Sequence, residues 1–526
     1  MELIQKIINT NNVKPPISTQ ITLDDDFNVP DNRSDVEKIT VTRGEIEITE
    51  SETLPDKIKV QGLCHFYVLY TTDLDSYPVS SLSGTIPFED TINNDGVMPS
   101  DNVKIKALLE DLNISIINSR KLSVRALINL KANVSETQQV TAATDVEQPI
   151  ASRQSILTNP EIACLHKTID TTSLVVNKKD IHRLREELTI PSNKPNIYEI
   201  LWSSTNLNNP EVKVLDGTLS LRGDISIFLL YSSEDDTATL QFLELELPFK
   251  GDLACENCME DMISNIAMHI ATAQFAIKPD SDGEQRLLDM EAVIELDIKL
   301  YEEASHKLLT DAYSPKAEVQ LTKEPFHYSH LLVKNNAKTR ISKRIKRSES
   351  DDPIMQLCHV EGQVKIDEYT LYENGIKVEG VITADVLYIS SNDRNPINST
   401  FLMVPFQYLI EMEGVTEQSN FEVSSAIEQL SVTMLDSNEL ELKATVSLCA
   451  IAFESEETSA IKELDISPLN PEKMQALPSM VGYIVKEGDN LWNIAKRYYT
   501  TTESIMNCNH LETEEIHTGD KLIIVK

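Results

Sequence analysis

Glycine is scarce in this chain, at 15 of 526 residues, and tryptophan scarcer, at two. Few glycines leave little room for a loop that cradles phosphate, and neither a Walker loop nor a G-x-G-x-x-G stretch occurs. No G-x-S-x-G nucleophile elbow is present either. Basic residues are also in short supply: 47 Lys plus Arg face 84 Asp plus Glu, a formal net charge of -37. That field repels nucleic acid and anionic lipid, so neither is an expected partner. No apolar run approaches the roughly 18 residues needed to span a bilayer. The opening "MELIQKIINTNNVKPP" has an acidic second residue and no apolar core of a secretory leader. It predicts a short amphipathic N-terminal helix or extension over 1–20 and a protein kept inside the cell. Seven scattered cysteines, an odd number, fit a reducing compartment in which most act as small buried hydrophobes.

The 41% of hydrophobic residues supply several cores, and they are arranged in a repeat. "GLCHFYVLY" (62–70), "GDISIFLLY" (223–231) and "GVITADVLY" (380–388) each run from Gly to Leu-Tyr. A Pro-Phe pair begins 17 residues after each Tyr, at Pro87-Phe88, Pro248-Phe249 and Pro405-Phe406. Upstream, "VPDNRSDVEKI" (29–39) matches "IPSNKPNIYEI" (190–200), whereas the third copy has Ser348 where that proline falls. Period-two alternation, as in Ile58, Val60, Gly62, Cys64, Phe66, Val68 and Tyr70, predicts half-buried antiparallel strands. The mid-strand Gly marks a bulge or a close backbone approach. Tyr70, Tyr231 and Tyr388 are expected in the core with their hydroxyls hydrogen-bonded.

The expected architecture is mainly β. Three repeated, antiparallel, sandwich-like domains with some helix stand in series over 21–134, 180–305 and 340–454. Linkers are expected at 135–179, 306–339 and 455–480, the last punctuated by proline. The G-x6-L-Y-x16-P-F register resembles the SPOCS domain of spore coat morphogenetic proteins.

Residues 481–526 are different. Tyr483 and Val485 alternate, Gly488 supplies a turn, and Asn490 can cap a helix carrying Leu491, Ile494, Ala495 and Tyr498. Thr501 or Thr502 can cap a second helix, and the 521–525 strand closes a small βααβ unit. Gly488-Asp489, Leu491, Ile494-Ala495, Asn509, Gly519, Leu522 and Ile524 closely resemble a LysM domain. In sugar-binding relatives, N-acetylglucosamine polymers lie between two loops, which correspond here to Asp489, Asn490 and Leu491, and to Asn509, His510 and Leu511. Gly488, Leu491 and Asn509 fit a fold-holding role equally well, and Trp492 is either core or an exposed anchor.

Together the two resemblances imply a non-catalytic scaffold without cofactors. It would act in the mother-cell cytoplasm, at the forespore outer membrane and spore coat, with a SpoIVA-type ATPase as partner of the LysM unit. The alternative is a peptidoglycan-binding protein of the cortex or wall. Two smaller features remain. Cys255-Glu-Asn-Cys258 has no second ligand pair for zinc and reads as incidental. "KNNAKTRISKRIKR" (334–347) reads as a solvated linker or edge, or as a dock for an acidic partner through Lys343, Arg344, Lys346 and Arg347.

Overall fold

The computed structural model describes residues 2–14, 16–73, 78–147, 161–234, 240–348, 352–392, 395–436, 438–470 and 478–525. The first repeat comprises β1 (Leu3–Val13), β2 (Ile17–Asn28), β3 (Lys38–Leu54), β4 (Lys57–Thr71), β5 (Val79–Asn93), β6 (Asn102–Asn118) and β7 (Lys121–Val146). The second comprises β8 (Ala163–Thr189), β9 (Ile197–Leu215), β10 (Thr218–Ser233), β11 (Leu240–Ala254), β12 (Ile263–Pro279) and β13 (Gln285–Tyr313). The third comprises β14 (Ala317–Lys346), β15 (Ile354–Tyr372), β16 (Gly375–Ser390), β17 (Ile397–Glu411), β18 (Asn420–Met434) and β19 (Glu439–Pro468). The C-terminal module follows as β20 (Met480–Ile484), α1 (Leu491–Arg497), α2 (Thr502–Asn509) and β21 (Lys521–Val525).

Each repeat is a sandwich of two antiparallel sheets, β3-β4-β5 over β2-β7-β6 in the first and the equivalent strands in the others. Their facing sides enclose separate cores, one per repeat. The helix expected within the repeats is not formed: among the described residues, the α-helices are both in the C-terminal module. β-branched and aromatic residues alternating at period two bury one face of a strand, whereas a helix would scatter them around its axis.

The repeated motif has a physical explanation. Gly62, Gly223 and Gly380 lie directly across the ladder from Phe88, Phe249 and Phe406. A Cβ on Gly62 would sit 2.5 Å from the Phe88 ring and from the Glu47 carbonyl. One on Gly380 would sit 2.4 Å from the Lys365 carbonyl. The neighbouring strands bulge at the same level, between Ile48 and Glu50, at Gly223, and between Ile366 and Glu368. Glycine is thus required so that the phenylalanine can lie across a bulge. Tyr70, Tyr231 and Tyr388 are buried, and each donates its hydroxyl to a carbonyl 36 residues upstream: Ser34 (3.0 Å), Pro195 (3.2 Å) and Asp352 (3.4 Å). The adjacent Leu69, Leu230 and Leu387 point to the opposite face, as strand alternation requires.

Those three leucines meet one another. With Val41, Trp202, Phe228 and Ile397 they form a further core shared by all three repeats. Pairwise contacts close the arrangement: Arg33–Glu199 (2.6 Å) between the first and second repeats, Lys299–Glu422 (2.7 Å) between the second and third, and Lys38–Asn398 (2.8 Å) between the third and first. The repeats follow in series along the chain, and each touches both of the others in space.

The segments expected as linkers are largely strand. β7 pairs with β1 over 135–146, β8 with β13 over 163–174 and 301–313, and β14 with β19 over 317–331 and 453–468. Each repeat therefore extends a two-stranded ribbon beyond its sandwich. The three ribbons pack on one another through Ile8, Ala142, Ile169, Leu308, Phe326 and Ala460, and through a second cluster around Val146, Leu309 and Ile461. A hairpin ribbon alone is marginal in water, and three sharing a core are not. The N-terminal helix expected over 1–20 is instead β1 and β2: Ile8 is buried while Ile7 faces solvent. β1 and β2 together occupy the place of the single long strand β8 or β14, and Lys14-Pro15-Pro16 falls at the break. Proline lacks the ladder N–H, which accounts for the split.

Candidate functional site

The C-terminal module packs Leu491, Ile494, Ala495, Ile505, Leu522 and Ile524 between two helices and the β20–β21 pair, and Tyr313 of the second repeat is buried in the same cluster. Asn490 caps α1, its side chain accepting from the Asn493 N–H at 2.7 Å, and Thr501 caps α2 through the Ser504 N–H at 3.1 Å. His510 ends α2 in the left-handed conformation at φ 54°.

The sequence-predicted loop residues divide by role. Asp489 accepts from the Tyr483 hydroxyl (2.6 Å) and the Lys486 N–H (2.9 Å), and the Tyr483 hydrogen bond holds its carboxyl below the usual range. Asn509 clamps α2 to β21: it donates to the Ile505 and Ile523 carbonyls (2.8 and 2.7 Å) and accepts from the Ile523 N–H (2.7 Å). Leu491 is core and Leu511 is half-buried against it. Asn490 and His510 are exposed at the two loops.

Trp492 lies outside the module's centre and is half-buried by a different part of the chain. Its indole N–H donates to Asp311 at 2.8 Å, and its ring packs edge-on against Tyr313 at 4.8 Å. Lys496 reaches the same carboxylate at 2.6 Å, and the Tyr499 hydroxyl donates to Glu318 at 2.9 Å. The module is thus seated on the ribbon of the second repeat, at the turn into the third. Burial raises the Asp311 carboxyl, but hydrogen bonds from Lys496 and Trp492 outweigh it, and the net shift is downward. Sequence gave no sign of this seat, because 181 residues separate Asp311 from Trp492.

The basic stretch is not a linker but the outer strand β14 of the third repeat. Lys343, Arg344 and Lys346 are exposed, with Arg344 3.9 Å from Glu441. Lysine on an open edge guards against strand-to-strand aggregation. Arg347 departs from that group. It is buried, donates to the Tyr388 hydroxyl at 2.7 Å and the Asp352 carbonyl at 3.2 Å, and lies over the Tyr388 ring. In the other repeats an arginine at the start of the long strand, Arg120 just before β7 and Arg286 within β13, supports the same loop: Arg120 bonds to the carbonyls of Val29, Pro30 and Arg33, and Arg286 to those of Ile190, Pro191 and Lys194. The third repeat has Asn438 at that position, and Arg347 supplies the missing guanidinium from the other strand. It belongs to the core and not to a docking patch.

Cys255 and Cys258 occupy a turn that recurs as Asn94…Val97 and Met412…Val415, and both point into the core. Burial and the neighbouring Cys258 thiol push Cys255 up to about 11, far from a reactive thiolate. Among the described residues, clefts open between repeats. One of about 820 Å³ lies between the second and third and is lined by Asn206, Glu244, His359 and Gln363 among others. One of about 320 Å³ lies between the first and second, around Arg43, Trp202 and Glu361. His359 stacks on Phe228 at 4.1 Å, and burial lowers it to about 4, so it is neutral. Its Nε2 has no hydrogen-bond partner among the described residues. Asp385 stands across the ladder from Glu361, and burial followed by that carboxylate raises it to about 6.

Comparison with known families agrees with this geometry. The SipL-type SPOCS domain matches residues 35–117, 196–278 and 353–435, and the LysM domain matches residues 483–525. No curated protein and no solved structure matches the chain. The chain is therefore a SPOCS-repeat protein closed by a C-terminal LysM domain. Its architecture is SipL-like, with the three matched segments covering β3–β6, β9–β12 and β15–β18 and leaving the long strands and their ribbons outside.

Proposed function

We propose that this chain is a non-catalytic spore coat morphogenetic scaffold that binds a SpoIVA-type ATPase mainly through its LysM domain. In this role it works at the forespore outer membrane on the mother-cell side, where it localises the coat and lets it encase the spore. The family supplies the sporulation context. The observation that favours a protein partner over a glycan is the commitment of the loop side chains: Asp489, Asn490 and Asn509 all spend their polar groups on the module's own fold. A sugar polymer is recognised largely through free polar groups placed around an apolar platform, and here few remain. Around the module, Met480, Ile484 and Ile523 are instead exposed apolar surface of the kind found at protein contacts.

The test is co-sedimentation and pull-down of the full chain, and of a chain ending at residue 470, with the purified ATPase and with purified peptidoglycan. Binding to the ATPase that vanishes on removal of the module supports the proposal. Strong peptidoglycan binding without ATPase binding replaces it with the second reading, a cortex- or wall-binding protein. That reading draws on the LysM match over 483–525 and on the exposed loop residues Asn490 and His510.

A further inference from the structure

The contact between the module and the second repeat is built like a short peptide on its site, with one ring set against the module's core and polar contacts around it. Leu491, Ile494, Ala495, Ile505, Leu522 and Ile524 are all at most 3% exposed, and the ribbon adds one side chain, Tyr313, to the cluster that they form. What crosses to the ribbon is the buried Tyr313 ring, with Trp492 edge-on to it, and a polar set around it, namely Trp492 and Lys496 on Asp311 and Tyr499 on Glu318. One buried ring and a few hydrogen bonds are a small contact, of the size a competing segment can replace.

The three ribbons provide an internal comparison. Ala143, Leu309 and Ile461 occupy equivalent places in one shared cluster, which aligns Asp145, Asp311 and Glu463. All three ribbons therefore carry a carboxylate at this level. Two residues further on they differ, with Glu147 on the first, Tyr313 on the second and Asp465 on the third. The module sits on the ribbon that follows its acid with a ring. Eleven residues, 469–479, join β19 to β20. Fully extended, they reach up to about 36–40 Å, so the module can leave its seat without breaking the chain.

We propose that the face formed by Trp492 and Lys496 of α1, with Tyr499 just beyond the helix end, is a recognition surface for an acidic side chain next to an aromatic ring on an extended strand. The chain's own Asp311-Ala312-Tyr313 occupies it until a partner of the same chemistry displaces it. The proposal rests on the docking function above in naming the ATPase as that partner. While the seat is closed, the apparent affinity of the module for an outside ligand is reduced by the fraction of molecules that are open.

The experiment uses the full chain, Asp311→Ala, Asp311→Asn and Trp492→Phe. The chain has two tryptophans, so subtracting the Trp492→Phe spectrum isolates Trp492 emission. Asp311→Ala is expected to shift that emission to the red and to increase its quenching by acrylamide, and adding the ATPase to the unaltered chain gives the same change. Asp311→Ala is also expected to bind the ATPase about tenfold more tightly, the gain when a seat closed in nine of ten molecules is opened. A synthetic Leu-Thr-Asp-Ala-Tyr-Ser-Pro peptide, copied from 309–315, should restore protection of Trp492 in the Asp311→Ala chain, and its Asp-to-Asn version should not. Unchanged Trp492 quenching in Asp311→Ala, or equal protection by both peptides, overturns the recognition surface. Equal ATPase affinity of the two chains overturns the competition. If neither chain binds the ATPase, the docking function fails, while the peptide comparison still decides the surface.

Discussion

Single side chains in this molecule are judged best by where alternation places them. Lys343, Arg344 and Lys346 look like one basic group with Arg347, but the strand ends between them and Arg347 turns inward. Changing the three exposed cations together to Glu is expected to cost under about 0.5 kcal/mol per residue, as for other surface positions. Arg347→Ala removes a buried guanidinium from the Tyr388 hydroxyl and the Asp352 carbonyl. Its expected cost is about 3 kcal/mol, in the range for breaking a buried polar network. Chemical denaturation of the two variants separates these outcomes, and a larger loss in the surface triple would reverse the assignment.

Asp385 gives a pH dependence of definite sign. Burial, then Glu361 across the ladder, raises its folded pKa to about 6. Arg43 of the first repeat faces this pair, 3.7 Å from Glu361. A raised carboxyl binds its proton more tightly when folded, so its contribution is full below about pH 4 and is lost as the pH rises through 6. Asp385→Asn is therefore expected to stabilise the chain at pH 7 by about 1–2 kcal/mol, after discounting for partial exposure, and to change little at pH 4. His359 runs the other way, because its lowered pKa of about 4 destabilises the folded chain as the pH falls from 6.5. Thermal melts of the Asp385 variant across pH 4–7 test the first effect against this background, and a pH-independent difference would refute it.

At the level of elements, the sequence showed the strands and hid their ends. The G-x6-L-Y-x16-P-F spacing is legible because two adjacent strands of fixed register write it: Gly62 must face Phe88, so the hairpin length is set. The tyrosine hydroxyl bonds are legible for the same reason. The ribbons were not, because Pro15-Pro16 and the polar stretches of β8, β14 and β19 look like breaks when only one face of a two-stranded ribbon meets a core. The LysM loops were located correctly as a motif, yet Trp492's partner lay in another domain and Arg347's role depended on Asn438 standing where Arg120 and Arg286 stand elsewhere. The glycine argument can be tested by rank. Gly62→Ala and Gly380→Ala push a Cβ against backbone carbonyls at 2.5 and 2.4 Å, and should cost about 3 kcal/mol or more. Gly223→Ala meets the Phe249 ring first, at 2.9 Å, which can move, so about 1 kcal/mol is expected. Melting temperatures that rank Gly223→Ala worst would contradict the bulge explanation.

For the whole molecule, the contacts between repeats and the ribbons make the three repeats one cooperative body despite their separate cores. The LysM domain could be removed at either of two places that look equivalent in the sequence. A chain ending at Glu454 would stop inside β19, deleting the partners of Ala317–Ser329 and taking Ala460, Ile461 and Leu464 out of the shared ribbon cores. Phe326, which is 1% exposed, would lose its cover, as would Leu309. Losing several buried apolar side chains at about 1.5–3 kcal/mol each removes a large part of a typical folding free energy. A chain ending at residue 470 keeps β19 whole and loses the seat contacts at Asp311 and Glu318 and the cover over Tyr313. The 470 chain is therefore expected to melt within a few degrees of the full chain. The 454 chain is expected to melt well below it and to aggregate through its unpaired β14 edge. Calorimetry and light scattering on the two truncations decide this, and equal stability would show that the ribbons contribute nothing to holding the repeats together.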